Sequence, residues 1–311
     1  GSDLHYFNHG GFGAVRLREP MILGHEVAGR IKAIGNGTKG LEIGQRVAVS
    51  PSRPCGSCRF CQTGQQNHCL DMRFYGSAMP FPHIQGAFRE LLVADASQCV
   101  PTTLSAGEAA MAEPLSVVLH ASKQAGNLAG KRVLITGCGP IGLLCVLAAK
   151  ASGAIEIVAT DVTRFTLEKA KELGADDALN VAAAPDALEP YTKDKGHFDV
   201  LFECSGVASA LASAIPALRP GGVIVQLGLG GDMTLPLQTM TAKEITLKGS
   251  FRFHHEFPLA IEAMERGQID VTPLITETYP MANATRAFEE AGDRSKAIKV
   301  QISFFGSPSS I

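Results

Sequence analysis

The sequence predicts an α/β protein in which a doubly wound parallel sheet is set into a β-rich surround. Three observations carry that reading. The stretch Gly130 to Asp161 passes from the apolar run Val133-Leu134-Ile135 through Gly137-Cys138-Gly139-Pro140-Ile141-Gly142 into an apolar helical run. A second β-like segment, Ile155 to Thr160, then ends at Asp161. Beyond it the strand and helix periods alternate down the chain, the repeat of a parallel sheet covered on both faces. The part before residue 104 instead shows short β-like runs parted by glycines and prolines, which argues for a barrel-like β-rich domain.

The central βαβ unit is the most informative stretch. Gly137 permits the tight turn, Gly139 lets backbone approach a pyrophosphate, and Gly142 lets the helix pack on the strand. The helix opened by Pro140 and Ile141 offers its unpaired N–H groups and positive dipole end to phosphate. Asp161 follows at the spacing expected of the acid that accepts from the adenosine ribose. A glycine-rich connection without a ligand is the weaker alternative. A carboxylate at Asp161 favours NAD by repelling a 2′-phosphate, whereas Arg164 can pair with that phosphate, so NADP remains possible.

Helix Thr163 to Leu173 stops at Gly174, and strands follow at Asp177 to Val181 and Val200 to Glu203. Helix Ala208 to Leu218 and strands Val223 to Leu227 and Ile245 to Gly249 bring the sheet to roughly six strands. Two amphipathic helices, Phe257 to Arg266 and Ala284 to Ala291, precede a last strand, Lys299 to Phe304, and the tail Gly306 to Ser310 reads as disordered. Earlier in the chain, Gly44 to Val49 and Ala87 to Val93 read as strands and Leu104 to Met111 as a helix.

With 311 residues, 45% of them hydrophobic, the chain is long enough for two domains with separate cores. A net charge of −2 without basic runs lacks the footprint of a nucleic-acid binder. No apolar run approaches the ~20 residues of a membrane span. Four of the eight cysteines cluster and the others are isolated, a pattern that suits metal binding in a reducing compartment, so the cytoplasm is expected.

The cluster is Cys55-x2-Cys58-x2-Cys61-x7-Cys69, in a lobe over residues 54–70. Four thiolates so spaced can close around one tetrahedral zinc, and a site with no free position is structural. Two disulfides are the other reading. His25 and Glu26 interrupt an apolar β-like run, either as a hydrogen-bonded pair at a strand end or as nitrogen and oxygen ligands to a metal. Glu113 stands just before a helix, where a carboxylate also favours the dipole. The loop Met72 to Gly86 mixes Arg73, Phe74 and His83 with prolines and glycines, and serves either as a connector or as the lining of a site.

Taken together, Gly24-His25-Glu26, the four-cysteine lobe, Glu113-Pro114-Leu115-Ser116 and the Gly137 fingerprint resemble the zinc-dependent medium-chain dehydrogenases of the sorbitol dehydrogenase branch, over nearly the whole chain. The resemblance implies a GroES-like catalytic domain, residues 1–113 plus 253–311, with a Rossmann coenzyme domain, 114–252, inserted and the active site in the cleft. It implies two zinc ions, one catalytic and one structural. His25, Glu26 and Glu113 match the catalytic ligands, Ser2 and His5 the proton relay, and Tyr6 and Arg252 the substrate pocket. The implied reaction is oxidation of a secondary alcohol by NAD or NADP. The substrate class is a sugar acid, its carboxylate held by Arg73 or Arg252 with help from His83. A polyol, or threonine, is the alternative substrate, and a non-catalytic nucleotide-binding module the alternative role. A homodimer or homotetramer is expected. The family pattern also places a cysteine ligand immediately before Gly1-Ser2-Asp3. The natural protein is therefore expected to be longer, and residues 1–311 alone to hold the catalytic zinc weakly and turn over poorly.

Overall fold

The computed structural model describes residues 1–304, and the Gly306 to Ser310 tail lies outside them. The chain divides into two compact units. One comprises Gly1–Ser116, Arg252–Gly292 and the segment from Lys299; the other comprises Val117–Phe251 and Asp293–Ile298. The short piece Asp293–Ile298 thus packs with the second unit, although the sequence placed it with the first.

The first unit begins with helix α1 (Ser2–His9), capped by Gly10 in the left-handed region, and a small hairpin, β1 (Gly11–Phe12) with β2 (Val15–Arg16). Strands β3 (Val27–Arg30), β4 (Arg46–Val49) and β7 (Cys99–Pro101) form an antiparallel sheet in the order β3-β4-β7. Because β3 starts at Val27, His25 and Glu26 sit at its mouth. Strands β5 (Ser52–Arg53) and β6 (Arg73–Phe74) pair antiparallel and close the base of the cysteine lobe, which holds the short helix α2 (Arg59–Gln62). The segment Ala87 to Val93, expected as a strand, is not one. Its first residues and Gly86 before them bond to Ile22, Leu23 and Gly24 (Gly86 N to Ile22 O 2.6 Å, Ala87 N to Gly24 O 2.8 Å, Phe88 N to Leu23 O 2.9 Å), but no regular ladder forms.

Helix α3 (Ala106–Ala110) carries a capping box, Ser105 with Glu108, and leads directly into α4 (Ala112–Ala125). Glu113 therefore lies inside the first turn of α4. Pro114 is tolerated there because the first turn has no intrahelical partner for its missing N–H.

The second unit is a six-stranded parallel sheet of β8 (Arg132–Thr136), β9 (Glu156–Asp161), β10 (Asp177–Asn180), β11 (Phe198–Glu203), β12 (Leu218–Gln226) and β13 (Thr246–Gly249). Their order is β10-β9-β8-β11-β12-β13, so the winding reverses between β8 and β11. Ligands of such sheets bind beyond the carboxyl ends of the strands at that reversal, where the Gly137 turn emerges from β8. Helices α5 (Pro140–Ala151), α6 (Arg164–Leu173), α7 (Ala208–Ala214) and α8 (Leu237–Ala242) cover it. Val133, Leu134 and Ile135 are wholly buried, as are Leu143 and Leu144 of α5. A strand buried on both faces reads as a continuous apolar run, which is why this core was plain in the sequence. Helix α7 ends four residues earlier than expected, because Pro216 sits in a following 3-10 turn and β12 already begins at Leu218.

Helix α9 (Glu256–Glu265), strand β14 (Ile275–Pro280), helix α10 (Ala284–Gly292) and strand β15 (Lys299–Ser303) complete the first unit, with β14 and β15 paired in parallel. Strand β14 had no clear signal in the sequence, since only Tyr279 of its residues is buried.

Candidate active site and metal centres

Helix α1 presents a row of functional side chains to the mouth of β3. Asp3 Oδ2 lies 3.3 Å from His25 Nδ1, and Asp3 Oδ1 accepts from the Gly24 N–H at 3.1 Å. His25 Nδ1 is held by that carboxylate as a close ion pair rather than by an aligned hydrogen bond. Donor atoms of His25, Glu26 and Glu113 all lie within 4.8 Å of one another. Glu26 is gripped by Lys299 at the start of β15, its two oxygens 2.8 and 2.6 Å from Nζ.

The electrostatics of this cluster ask for a cation. Burial pushes the Glu113 carboxyl up to about 7; Glu26 adds to the rise and His25 opposes it. Burial alone would lower His25, but Asp3, Glu113 and Glu26 outweigh it and carry the imidazole up to about 9. Burial likewise works to raise Glu26, and Lys299 overrides it, holding the group below the usual carboxylate range. Three carboxylates thus converge on one imidazole, a concentration of negative charge that favours a bound cation. One nitrogen with two carboxylates is a borderline donor set that suits zinc. Tetrahedral zinc keeps such ligands ~3.4 Å apart, a spacing that lies inside the 4.8 Å limit within which these donors fall. The residues fit the ion.

The second centre fits more tightly. Cys58 Sγ is 3.5 Å from Cys61 Sγ and 4.0 Å from Cys69 Sγ, and all four sulfurs lie within 4.8 Å. Ligands on tetrahedral zinc at ~2.3 Å would be ~3.8 Å apart, whereas a disulfide needs ~2.05 Å. The Cys55 N–H points at Cys69 Sγ (3.2 Å) and the Cys58 N–H at Cys55 Sγ (3.4 Å), donors that favour thiolate. Ser57 and Cys58 N–H groups bring Cys55 down to about 6, while burial pushes Cys61 up to about 12. A metal at the centre of the set would stabilise the thiolate form of all four.

Around the first cluster the structure gathers some expected residues and sends others away. Tyr6 is buried and its hydroxyl accepts from the Ala78 N–H at 3.1 Å. Phe74 packs inward, its ring 5.9 Å from that of His25, and the Arg252 guanidinium lies over the Phe74 ring, 4.2 Å from its centre. Arg252 Nη2 also meets Met79 Sδ at 3.2 Å, and the residue adopts φ 55, a strained conformation for a side chain of this size. Burial lowers its pKa, with Glu113 and Tyr6 opposing. Ser2 and His5 lie one helical turn apart on α1, and burial lowers the His5 imidazole.

Arg73 does not join this group. The pleat of β6 that turns Phe74 inward leaves Arg73 exposed, opposite Arg53. His83 is engaged elsewhere: it is buried, Nε2 accepts from the Arg18 N–H at 2.9 Å, and Nδ1 pairs with the Pro80 carbonyl at 2.9 Å. It ties down the loop. Asp3 and Lys299, both absent from the expected set, prove to be the groups that hold His25 and Glu26. Lys299 stands 273 positions from Glu26, so no local pattern could have found it.

In the second unit the turn is built as a dinucleotide site requires. Gly137 sits at φ 86, and a Cβ there would come within 2.7 Å of Ser205 N. Gly139, by contrast, faces open space at the N-terminus of α5. Asp161 ends β9 with its side chain 2% exposed. Arg164 is 88% exposed and pairs with Glu168 on its own helix at 2.7 Å.

Comparison with known proteins agrees with this division of labour. Residues 1–104 match the alcohol dehydrogenase GroES-like domain and residues 140–266 the zinc-binding dehydrogenase domain. The chain is 46% identical to the L-idonate 5-dehydrogenase (NAD(P)(+)) of Escherichia coli strain K12, over 98% of this chain and 88% of that one. It is 36% identical to the sorbitol dehydrogenase of Bos taurus, over 97% and 85%. The crystal structure of the E. coli L-idonate 5-dehydrogenase superposes with a TM-score of 0.93 at 45% identity, covering 98% of this chain and 88% of that one. The chain therefore belongs to the zinc-binding alcohol dehydrogenase family and is an oxidoreductase of that family.

Proposed function

We propose that the protein oxidises a secondary hydroxyl of a sugar acid, L-idonate to 5-ketogluconate being the first candidate, with NAD or NADP as hydride acceptor. The observation that carries this reading is Arg252, a guanidinium set over the Phe74 ring that itself packs against His25. A six-carbon acid bound by its C5 hydroxyl at the His25, Glu26 and Glu113 cluster extends its carboxylate away from the cluster, where a guanidinium can bind it bidentately. The relative of E. coli named for L-idonate supports the same choice.

When bound, zinc held by His25, Glu26 and Glu113 supplies Lewis acidity to the hydroxyl and the dinucleotide supplies the hydride acceptor. The remaining work falls to the chain. Asp3 fixes the His25 ring and Lys299 fixes Glu26. Tyr6, whose oxygen already accepts from Ala78, keeps its own O–H proton to give to a substrate oxygen. Ser2 and His5 carry the released proton outward, and a lowered His5 is a neutral base at neutral pH. A structural zinc on Cys55, Cys58, Cys61 and Cys69 orders a lobe with little core of its own.

Arg252→Ala tests the substrate. A charge-assisted pair contributes ~1.5 to 3 kcal/mol, so kcat/KM for L-idonate is expected to fall at least ~10-fold while that for sorbitol changes little, and Arg252→Lys to recover part of the loss. An equal loss on both substrates would reject the acid. One observation favours a neutral polyol as second reading: with Arg73 and His83 turned away, Arg252 alone of the three expected groups is left to read an anion.

The metal-type spacing of four cysteines and the isolation of the other four support a cytoplasmic site of action. No helix among the described residues is long and apolar enough to cross a membrane. Strand β13 is a sheet edge with every residue exposed, and pairing of that edge with a second copy would give the expected homodimer or homotetramer, which sedimentation velocity reads directly.

A further inference from the structure

Asp161 does not present an open carboxylate. Its Oδ1 accepts from the N–H groups of Val162 (2.7 Å) and Thr163 (2.9 Å), and its Oδ2 from the Cys138 N–H (2.6 Å) and from Arg294 Nη2 (2.8 Å). A carboxylate has about four lone-pair sites, and all four are taken. Three of the donors are backbone groups fixed by the end of β9 and by the Gly137 turn. Arg294, on the segment Asp293–Ile298 that packs with this unit, is the one donor free to swing, with its side chain 53% exposed.

From this we propose that Arg294, and not Arg164, decides how the protein divides its use between NADP and NAD, by pairing with the 2′-phosphate of the adenosine ribose. The inference rests on the reading that the Gly137 turn takes a nicotinamide dinucleotide. An unphosphorylated ribose donates its hydroxyls to the acid, and here it can do so only by displacing Arg294, which costs a charge-assisted hydrogen bond. A 2′-phosphate has no such hydroxyl to give. It carries ~1.5 to 2 negative charges and three acceptor oxygens, which a guanidinium at this edge satisfies bidentately. Arg294 also neutralises Asp161, removing the repulsion that would otherwise exclude the phosphate. One side chain thus handicaps NAD and favours NADP. Arg164 is engaged with Glu168 and makes no bond to Asp161.

Fluorescence titration of the protein with NADH and with NADPH, in the absence of sugar substrate, tests this without relying on turnover. Arg294→Ala is expected to weaken NADPH at least ~10-fold while NADH binds as well as before or better. Arg294→Gln, which keeps a donor for Asp161 and loses the charge, should show the same NADPH loss and melt like the parent. Arg164→Ala should change the ratio of the two affinities less than ~2-fold. Equal weakening of both dinucleotides in Arg294→Gln, no change in either, or a loss that follows Arg164 would each overturn the assignment. Failure of the parent protein to bind NADH would instead overturn the dinucleotide reading itself, and the assignment with it.

Discussion

Gly142→Ala and Gly139→Ala alter the same turn three residues apart and are expected to fail in different ways. A Cβ on Gly142 would stand 1.8 Å from the Gly137 carbonyl oxygen, which is backbone and cannot rotate aside. The turn cannot shift to make room either. Gly137 N donates to Thr160 O at 2.8 Å, and Ser205 crowds Gly137 from the other side. Overpacking against fixed backbone lies at the upper end of the usual range, ~3 kcal/mol or more. At ~2 to 4 °C per kcal/mol for a domain of this size, melting should fall by about 6 to 12 °C.

Gly139 is the contrasting case. Nothing in the protein lies within 4 Å of a Cβ built there, and its φ of −70 suits any residue. Alanine should change stability by less than ~0.5 kcal/mol. The methyl would occupy the space into which a pyrophosphate must come, so NADH affinity should drop at least ~10-fold. Calorimetry without ligand and NADH titration measure the two effects separately. If Gly139→Ala melts as low as Gly142→Ala, or binds NADH as the parent does, the emptiness beside Gly139 is not reserved for phosphate and the reasoning fails.

Further outcomes follow from other sites. Cys61→Ser, at a buried member of the thiolate set, should remove the zinc of the cysteine lobe as measured by elemental analysis, while NADH binding by the second unit is retained; loss of NADH binding as well would show that the substitution unfolds more than the lobe. Asp199 on β11 is subject to burial, which would raise its pKa, but the Arg132 N–H at 2.8 Å and Arg219 at 2.6 Å outweigh it and hold the carboxyl below its usual value. Its contribution, about 1 kcal/mol at a partly screened site, is therefore present above pH ~4 and lost as pH falls through the lowered pKa. Urea melts of the parent and Asp199→Asn should accordingly differ at pH 7 and draw together as pH falls below ~4, and a gap independent of pH would contradict the assignment.

How much of this could be read from the sequence follows the range of each interaction. The parallel sheet was legible because Val133 to Ile135 and the body of α5 are buried on every side and so write unbroken apolar runs, while β14, with one buried residue, writes almost nothing. The cysteine lobe and the Gly137 turn were legible because spacing within a few residues fixes their geometry. The departures sit where side-chain direction or long-range pairing decides. Whether Arg73 or Phe74 faces the cluster depends on the phase of a two-residue strand, which the sequence does not state and the β5 pairing does. His83 was a plausible ligand reader by type, yet both its nitrogens are spent on the loop that carries it. Lys299 and Arg294 come from the last part of the chain to Glu26 and Asp161, so each changes the charge of a residue that was read as a lone acid. That last difference bears on function: an acid judged by itself argues for NAD, whereas the same acid already paired with a half-exposed guanidinium admits either dinucleotide.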